Sequence, residues 1–159
     1  MTAVQATFDI HPAALADPEV LSAVAGVEAA AFPEPWTSQA LAELQFDPGM
    51  LAWAAESPTG VVVGYALLRV VPAAAEAELL RVATTPAWQR LGVANGLLKA
   101  ACAELDRSSF DCFLEVRADN RPAQLLYERH GFAYLDRRPA YYRDGCAAWI
   151  YARRACGSG

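Results

Sequence analysis

Lysine and arginine are missing from the first 68 positions of this 159-residue chain, which hold eight of its 18 acidic residues. Lysine is nearly absent altogether, since Lys99 stands beside twelve arginines. Residues 69–159 therefore hold all 13 basic and ten acidic residues, a formal charge of +3 against −8 for the first part. With a net charge of −5, the chain lacks the basic face typical of nucleic-acid-binding domains, and we expect no direct nucleic-acid partner.

Long apolar segments and paired cysteines are also missing. The longest apolar run, residues 61–75, is interrupted by Arg69 and Pro72 and is too short for a membrane span. The N-terminus lacks the positive patch and apolar run of a signal peptide. The four cysteines form no C-x-x-C pair and only two histidines accompany them, so we expect reduced thiols and no metal site. These absences favour a cytoplasmic protein with no membrane partner, and the length favours one domain over residues 1–159.

Hydrophobic periodicity predicts a mixed α/β domain with the element order ααβββαβαββ. Helices are predicted over residues 18–32, 37–46, 92–105 and 123–130. Strands are predicted over residues 50–56, 61–71, 77–85, 111–117, 132–137 and 146–153. The strand–helix–strand passage over residues 77–117 is expected to form a right-handed parallel crossover. Residues 156–159 are predicted to form a frayed tail.

Residues 89–96 (Q-R-L-G-V-A-N-G) follow a predicted strand and open a predicted helix. Small residues at positions 92, 94 and 96 allow the backbone to approach a ligand closely. The amides of the first helical turn have no intrahelical partner, the helix dipole is positive there, and Arg90 adds a full charge. The segment is a candidate cradle for a pyrophosphate, although a glycine-containing loop that only turns the chain has the same pattern.

Two further residues are candidates for proton transfer. Glu115 lies mid-strand between apolar neighbours, where a carboxylate can accept a proton, but a glutamate that pairs with Arg117 or faces water gives the same pattern. Tyr127 lies on a predicted helix, from which it can donate a proton, although a single tyrosine is more often part of a core.

The order and spacing of these segments resemble the GNAT acyltransferase superfamily over roughly residues 20–151. In that family a Q/R-x-x-G-x-G/A loop binds acetyl-CoA, and residues 89–94 (Q-R-L-G-V-A) are similar to it, with Ala94 as an accepted variant of the second glycine. The resemblance implies the GNAT fold, a mixed, mostly antiparallel central sheet flanked by helices. It also implies acetyl-CoA as the co-substrate.

Four segments resemble more narrowly the RimI group, the ribosomal-protein N-terminal alanine acetyltransferases. Residues 32–37 (F-P-E-P-W-T) resemble the group's proline–tryptophan loop, and residues 114–120 (L-E-V-R-A-D-N) its L-E-V-R-x-S-N segment. Residues 126–132 (L-Y-E-R-H-G-F) are similar to L-Y-E-x-x-G-F, and residues 137–142 (R-R-P-A-Y-Y) to R-x-x-Y-Y. The last strand departs from the group, since A-A-W-I-Y stands where an acid and then a methionine are usual.

Placed on these positions, the resemblance implies a division of roles. The pantetheine arm is expected along the backbone of Val82, Ala83 and Thr84. The pyrophosphate is expected on the amides of Arg90, Leu91, Gly92, Val93, Ala94 and Asn95. Asn120 is expected to hydrogen-bond the co-substrate, Glu115 to act as general base and Tyr127 as general acid. The acceptor is expected to contact Trp36, Tyr141 and Tyr142, for which a core anchor and simple strand propensity are the alternatives.

These roles predict an acetyl-CoA-dependent N-alpha-acetyltransferase that favours an N-terminal alanine, on a ribosomal or another protein, with direct transfer in a ternary complex. Many members of the superfamily use a glutamate on the preceding strand, so Glu76 and Glu78 compete with Glu115 for the base role. The alternative functions are acetylation of a small amine or of lysine, and non-catalytic acyl-CoA binding. The acidic first 68 residues would attract a basic peptide such as a ribosomal N-terminus, or would only form a solvated surface.

Overall fold

A computed structural model describes residues 6–156 of the chain. Within them the helices are α1 (Pro18–Ala31), α2 (Ser38–Leu44), α3 (Val93–Ser108) and α4 (Arg121–Arg129). The strands are β1 (Asp9–Ala13), β2 (Met50–Glu56), β3 (Val62–Val71), β4 (Glu76–Thr84), β5 (Asp111–Arg117), β6 (Ala133–Arg138) and β7 (Ala148–Arg153). Short 3₁₀ turns, Pro72–Ala74 and Pro86–Trp88, precede and follow β4. Apart from Cys156, the predicted frayed tail lies outside the described residues.

All predicted helices and strands are present, with ends that differ by up to three residues, and the structure adds the strand β1 before them. This strand pairs antiparallel with β2, from Asp9 opposite Glu56 to Ala13 opposite Ala52. Sequence patterns miss it because Pro12 interrupts a run of only five residues. The position of β1 at the edge of the sheet explains why a residue without an amide hydrogen is tolerated there.

The strands form one seven-stranded, mostly antiparallel sheet in the order β1-β2-β3-β4-β5-β7-β6, flanked by helices. β4 and β5 run parallel, as the predicted crossover through α3 requires. Their pairing covers only Glu76–Glu78 against Asp111–Phe113. β5 instead pairs with β7 along nearly its full length. Among the described residues, the register between β4 and β5 therefore leaves the last six residues of β4 without a partner on β5.

The chain groups into two compact units. The first contains the described residues through Leu68 together with Arg81–Ala101, and the second contains Arg69–Leu80 together with the described residues from Cys102 onward. Tyr65 and Leu41 are fully buried in the first unit, and Tyr151 and Leu105 are buried in the second. No helix within residues 6–156 is both long enough and apolar enough to cross a membrane.

The most deeply buried charge of the first unit is the Glu28 carboxylate on α1, whose side chain has no solvent exposure. Its Oε1 accepts hydrogen bonds from the Trp36 amide at 3.0 Å and from Arg81 Nη2, and its Oε2 accepts from the Tyr65 hydroxyl and from Arg81 Nε at 3.2 Å. Burial of a carboxylate costs several kcal/mol unless it is paired and hydrogen-bonded. Four donors on both oxygens meet that requirement here.

This cluster holds the loop between α1 and α2 in place. α1 ends at Ala31, followed by the extended cap residue Phe32, because Pro33 and Pro35 cannot continue a helix. Thr37 then caps the start of α2 by accepting a hydrogen bond from the Ala40 amide at 3.0 Å. The Arg81 guanidinium lies 3.8 Å from the centre of the Phe32 ring and 4.6 Å from that of Trp36. Burial, and secondarily the bond to Glu28, raises the pKa of Tyr65, so its hydroxyl stays a proton donor.

Gly64 on β3 marks a close approach of the backbone to its neighbours. A Cβ at this position would lie 2.9 Å from the Ala83 carbonyl oxygen and 2.7 Å from a methyl group of Val93. The carbonyl belongs to the backbone and cannot rotate away. Gly64 therefore allows the end of β4, where Val82, Ala83 and Thr84 lie, to keep its position beside β3.

We predict that Gly64→Ala destabilises the protein by about 1–3 kcal/mol, because an added methyl group overpacks this contact. The measurement is urea unfolding followed by circular dichroism. Gly26→Ala is the matched control, since a Cβ at Gly26 meets nothing within 4 Å in the middle of α1. That variant should gain roughly 0.5–1 kcal/mol from helix propensity. Equal effects of the two substitutions would contradict the packing argument.

We also predict that Arg81→Met lowers the free energy of unfolding by about 3 kcal/mol, since it leaves Glu28 buried without its cation. Near-ultraviolet circular dichroism should report a changed environment of Trp36 at the same time. The control is Arg107→Ala, which removes the exposed cation paired with Glu104 on α3 and should change stability by less than about 0.5 kcal/mol. A stable Arg81→Met protein would show that Glu28 does not depend on this pair.

Candidate functional site

The end of β4 and the turn after it carry the first group of predicted site residues. Ala83 and Thr84 are buried and Val82 is half-buried. The Thr84 carbonyl accepts a hydrogen bond from Gln89 Nε2 at 3.2 Å, which ties the start of the predicted cradle back to β4. The Gln89 side chain therefore stabilises the position of the loop relative to β4.

The loop from Arg90 to Gly92 turns the chain into α3 through two left-handed backbone conformations. Arg90 has φ of 64° and Gly92 has φ of 90°, a region that favours glycine. Gly92 accepts the first helical hydrogen bond, from the Gly96 amide at 3.0 Å. The space where a Gly92 Cβ would lie is open, since nothing comes within 4 Å of it. The backbone at Gly92 is therefore accessible to a ligand.

These residues fit a pyrophosphate. The amides of Val93 and Ala94 lie in the first turn of α3, where helix geometry provides no carbonyl for them and the dipole is positive. Arg90 is exposed beside them. Gly96 has a different role from the one predicted, because a Cβ there would meet Phe8 at 3.1 Å and Ile10 at 3.4 Å. Its small size serves packing rather than ligand approach.

The second unit contains a cleft of about 380 Å³ with Glu115 in its wall. In β5 the buried residues Cys112, Leu114 and Val116 alternate with less buried ones, which places Glu115 on the half-exposed face. The cleft is lined on other sides by carboxylates of β4 and by arginines of β3 and β6, namely Glu76, Glu78, Arg69 and Arg138. It therefore combines three acidic and two basic side chains.

The Glu115 carboxylate is contacted by two side chains, one at the end of β6 and one just after it. Arg138 Nη1 lies 3.2 Å from Glu115 Oε1, and the Tyr141 hydroxyl donates a hydrogen bond to the same carboxylate. This hydrogen bond raises the pKa of Tyr141. The alternative pairing with Arg117 is wrong, because Arg117 binds Asp119 and Asp144 instead.

The competing glutamates lie in the same cleft. Glu78 pairs with Arg69 at 3.7 Å, and both of these side chains are more than a third exposed. Glu76 is also exposed, in the part of β4 that pairs with β5. The structure thus brings all three carboxylates to one cleft without singling out one of them as the base.

Tyr127 occupies the last turn of α4 and is half-buried. The Phe132 amide donates to the Tyr127 carbonyl at 3.2 Å and the Gly131 amide to the Glu128 carbonyl at 3.2 Å. This pair of bonds, with Gly131 at φ of 90°, is a Schellman helix end, and Tyr127 contacts Phe132 edge-to-face at 6.0 Å. Tyr127 therefore has a structural role at the helix end besides the predicted one in proton transfer.

Asn120 and Tyr142 lie around Arg117 at the end of β5. Asn120 begins α4, and its Oδ1 accepts a hydrogen bond from the Ala123 amide at 3.2 Å. The Arg117 guanidinium lies 4.8 Å from the centre of the Tyr142 ring. Hydrogen bonds from Arg117 hold the pKa of the Asp119 and Asp144 carboxyls below their usual range. Tyr142 is thus positioned by a charged cluster, whereas Tyr141 is exposed.

The structure brings Glu115 and Tyr141 into direct contact. Trp36 belongs to the first unit, where its amide binds Glu28 and its ring faces Arg81. The motifs assign no role to Arg69 or Arg138, although Arg138 belongs to the R-x-x-Y-Y segment, the one sequence signal that points to it. Over residues 6–156, no group of three His, Cys, Asp or Glu side chains is placed to hold a metal ion.

Comparison with known proteins identifies relatives with the same organisation. Residues 21–132 match the Acetyltransferase (GNAT) family. The ribosomal protein bS18-alanine N-acetyltransferase of Escherichia coli is 32% identical over 123 residues, which cover 77% of this chain and 80% of that protein. An N-alpha-acetyltransferase of Saccharolobus solfataricus is 30% identical over 93 residues, 57% of this chain and 56% of the archaeal protein.

A solved structure agrees with these matches. The crystal structure of the ribosomal-protein-S18-alanine N-acetyltransferase from Escherichia coli superimposes with a TM-score of 0.86 at 30% identity, over 96% of this chain and 97% of the other. The shared fold confirms the mixed sheet that the motifs implied. Since the family pattern matches most of the chain, this protein belongs to the acetyltransferase (GNAT) family.

Proposed function

We propose that this acetyltransferase transfers the acetyl group of acetyl-CoA to the α-amino group of a protein N-terminus, with alanine favoured as the first residue. The Escherichia coli relative is named for this reaction on ribosomal protein bS18. The observation that carries the proposal is the carboxylate-lined cleft around Glu115, because an acceptor amine needs a nearby base and an environment that attracts its positive charge.

The choice of an α-amine follows from its acidity. A free α-amino group has a pKa of about 7.7–8.0, whereas that of lysine is about 10.4. Removing the proton from lysine at neutral pH therefore costs roughly 3–4 kcal/mol more, at about 1.36 kcal/mol for each unit of pKa. A single half-exposed carboxylate is a sufficient base for the α-amine, either directly or through one water.

Each predicted site residue has a role in this reaction. The backbone of Val82–Thr84 and the amides of residues 90–95 hold acetyl-CoA, which supplies the acetyl group as a thioester. Glu115 accepts the proton of the acceptor amine, Tyr127 donates a proton to the leaving thiolate, and Asn120 hydrogen-bonds the co-substrate. Trp36, Tyr141 and Tyr142 contact the acceptor. The transfer is direct, so no cysteine nucleophile is required.

The proposed acceptor is a protein with a basic N-terminal segment, such as a ribosomal protein, and a ribosomal acceptor would be met in the cytoplasm. Two charge features support this choice. The cleft of the second unit has one more carboxylate than arginine. The first 68 residues contain eight acidic residues and no lysine or arginine, so their formal charge is negative.

We predict that the protein acetylates peptides beginning with Ala faster than peptides beginning with Ser, Gly or Met, and spermidine or an aminoglycoside more slowly still. Each peptide is tested with Lys and Arg, or with neutral residues, at positions 2 to 4, and mass spectrometry locates the acetyl group. The basic series should have the lower KM at low salt, because screening weakens attraction between exposed charges. Turnover of the small amines without any peptide N-terminus would contradict the proposal.

We further predict that Glu115→Gln lowers kcat by about 100-fold or more, as loss of a general base does. Glu78→Gln and Glu76→Gln are matched controls, since they remove the same charge from the same cleft and should affect kcat by less than about 10-fold. The measurement is steady-state kinetics with the best peptide at saturating acetyl-CoA. If Glu78→Gln proved the most damaging of the three, the base would be Glu78 and our assignment would be wrong.

A further inference from the structure

Both donors that bind the Glu115 carboxylate come from one short segment at the end of β6. Arg138 is the last residue of β6 and Tyr141 lies three residues later. The Arg138 guanidinium also lies 5.6 Å from the centre of the Tyr141 ring, so the two donors contact each other as well as Glu115. The Arg138 side chain is 55% exposed and the residue Tyr141 is 48% exposed, whereas the Glu115 side chain is only 27% exposed. Both donors therefore have more contact with solvent than the carboxylate that they bind.

We propose that Arg138 is a positioning residue that occupies the place of the acceptor's ammonium group beside Glu115 until the acceptor displaces it. This inference rests on the proposed function. In the resting protein, the guanidinium neutralises Glu115 and keeps its carboxylate aimed into the cleft. When a peptide N-terminus enters, its ammonium takes over the contact with Glu115 Oε1, and Arg138 moves out with Tyr141.

The chemistry of arginine suits this role. A guanidinium keeps its proton at all physiological pH values, so Arg138 cannot transfer a proton to Glu115 or become a nucleophile itself. An ion pair with one strongly exposed partner contributes roughly 0–1 kcal/mol, so an incoming ammonium can replace it at little cost. A lysine at this position would carry a primary amine, as the acceptor does, and would compete with it for the acetyl group.

The charges that face Glu115 favour such an exchange. Glu76 and Glu78 lie on β4, Arg69 lies on β3 and pairs with Glu78, and Tyr142 lies beyond Tyr141 in the same cluster. With Arg138 in place, the three carboxylates and two arginines of the cleft sum to −1. Departure of Arg138 leaves −2, and the α-ammonium of the acceptor restores −1. The exchange therefore keeps the charge of the cleft constant.

We predict that Arg138→Met lowers the KM for the peptide about two- to fivefold, because the competing cation is gone. Arg138→Lys should keep the KM near its original value, because it restores a cation beside Glu115. The matched control is Arg137→Met, which removes the same charge one residue earlier, outside the cleft lining, and should leave the KM unchanged.

A second measurement does not depend on turnover. Arginine side-chain NMR of the protein without substrate should show a restrained Arg138 guanidinium that is released in Glu115→Gln and retained in Arg137→Met. A mobile guanidinium in the unaltered protein, or an unchanged or higher KM in Arg138→Met, would overturn the inference. Absence of peptide acetylation by the unaltered protein would instead overturn the proposed function, and the NMR result would still decide whether Arg138 holds Glu115.

Discussion

The first unit depends on the ion pair and the hydrogen bonds that the buried Glu28 carboxylate forms. An uncompensated charge at this depth would cost several kcal/mol, so the surrounding donors must stay in place. One donor is the amide of Trp36, another is the hydroxyl of Tyr65 on β3, and the cation is Arg81 on β4. The loop between α1 and α2 is therefore tied to the strand that continues into Val82–Thr84.

A second carboxylate, Glu115, shows the opposite arrangement. It is also bound by an arginine and a tyrosine, but here both donors are largely exposed. Solvent weakens such contacts, so they can exchange with a ligand at small cost. The same pair of residue types therefore serves as a fixed support around Glu28 and as a replaceable set of donors around Glu115. The degree of burial makes the difference.

Much of the architecture could be predicted from local patterns. The four helices α1 to α4 and six of the seven strands lie where the periodicity of the sequence predicts them, with ends that differ by up to three residues. Strand β1 could not be predicted because Pro12 interrupts its strand pattern. A proline is tolerated in this strand because β1 lies at the edge of the sheet. The packing role of Gly96 could not be predicted from the sequence, because its contact with Phe8 joins segments that are far apart along the chain.

The order of the four helices and of strands β2 to β7, the loop that opens α3 and the likeness to the acetyltransferase family could all be predicted, because they depend on the spacing of residues along the chain. Which charges pair depends on the tertiary fold. Glu28 and Arg81 are 53 positions apart in the sequence. Arg117, two residues from Glu115, pairs with Asp119 and Asp144, whereas Glu115 pairs with Arg138 of β6. Pairing of charges depends on distance in space and on burial, and neither can be read from spacing along the chain.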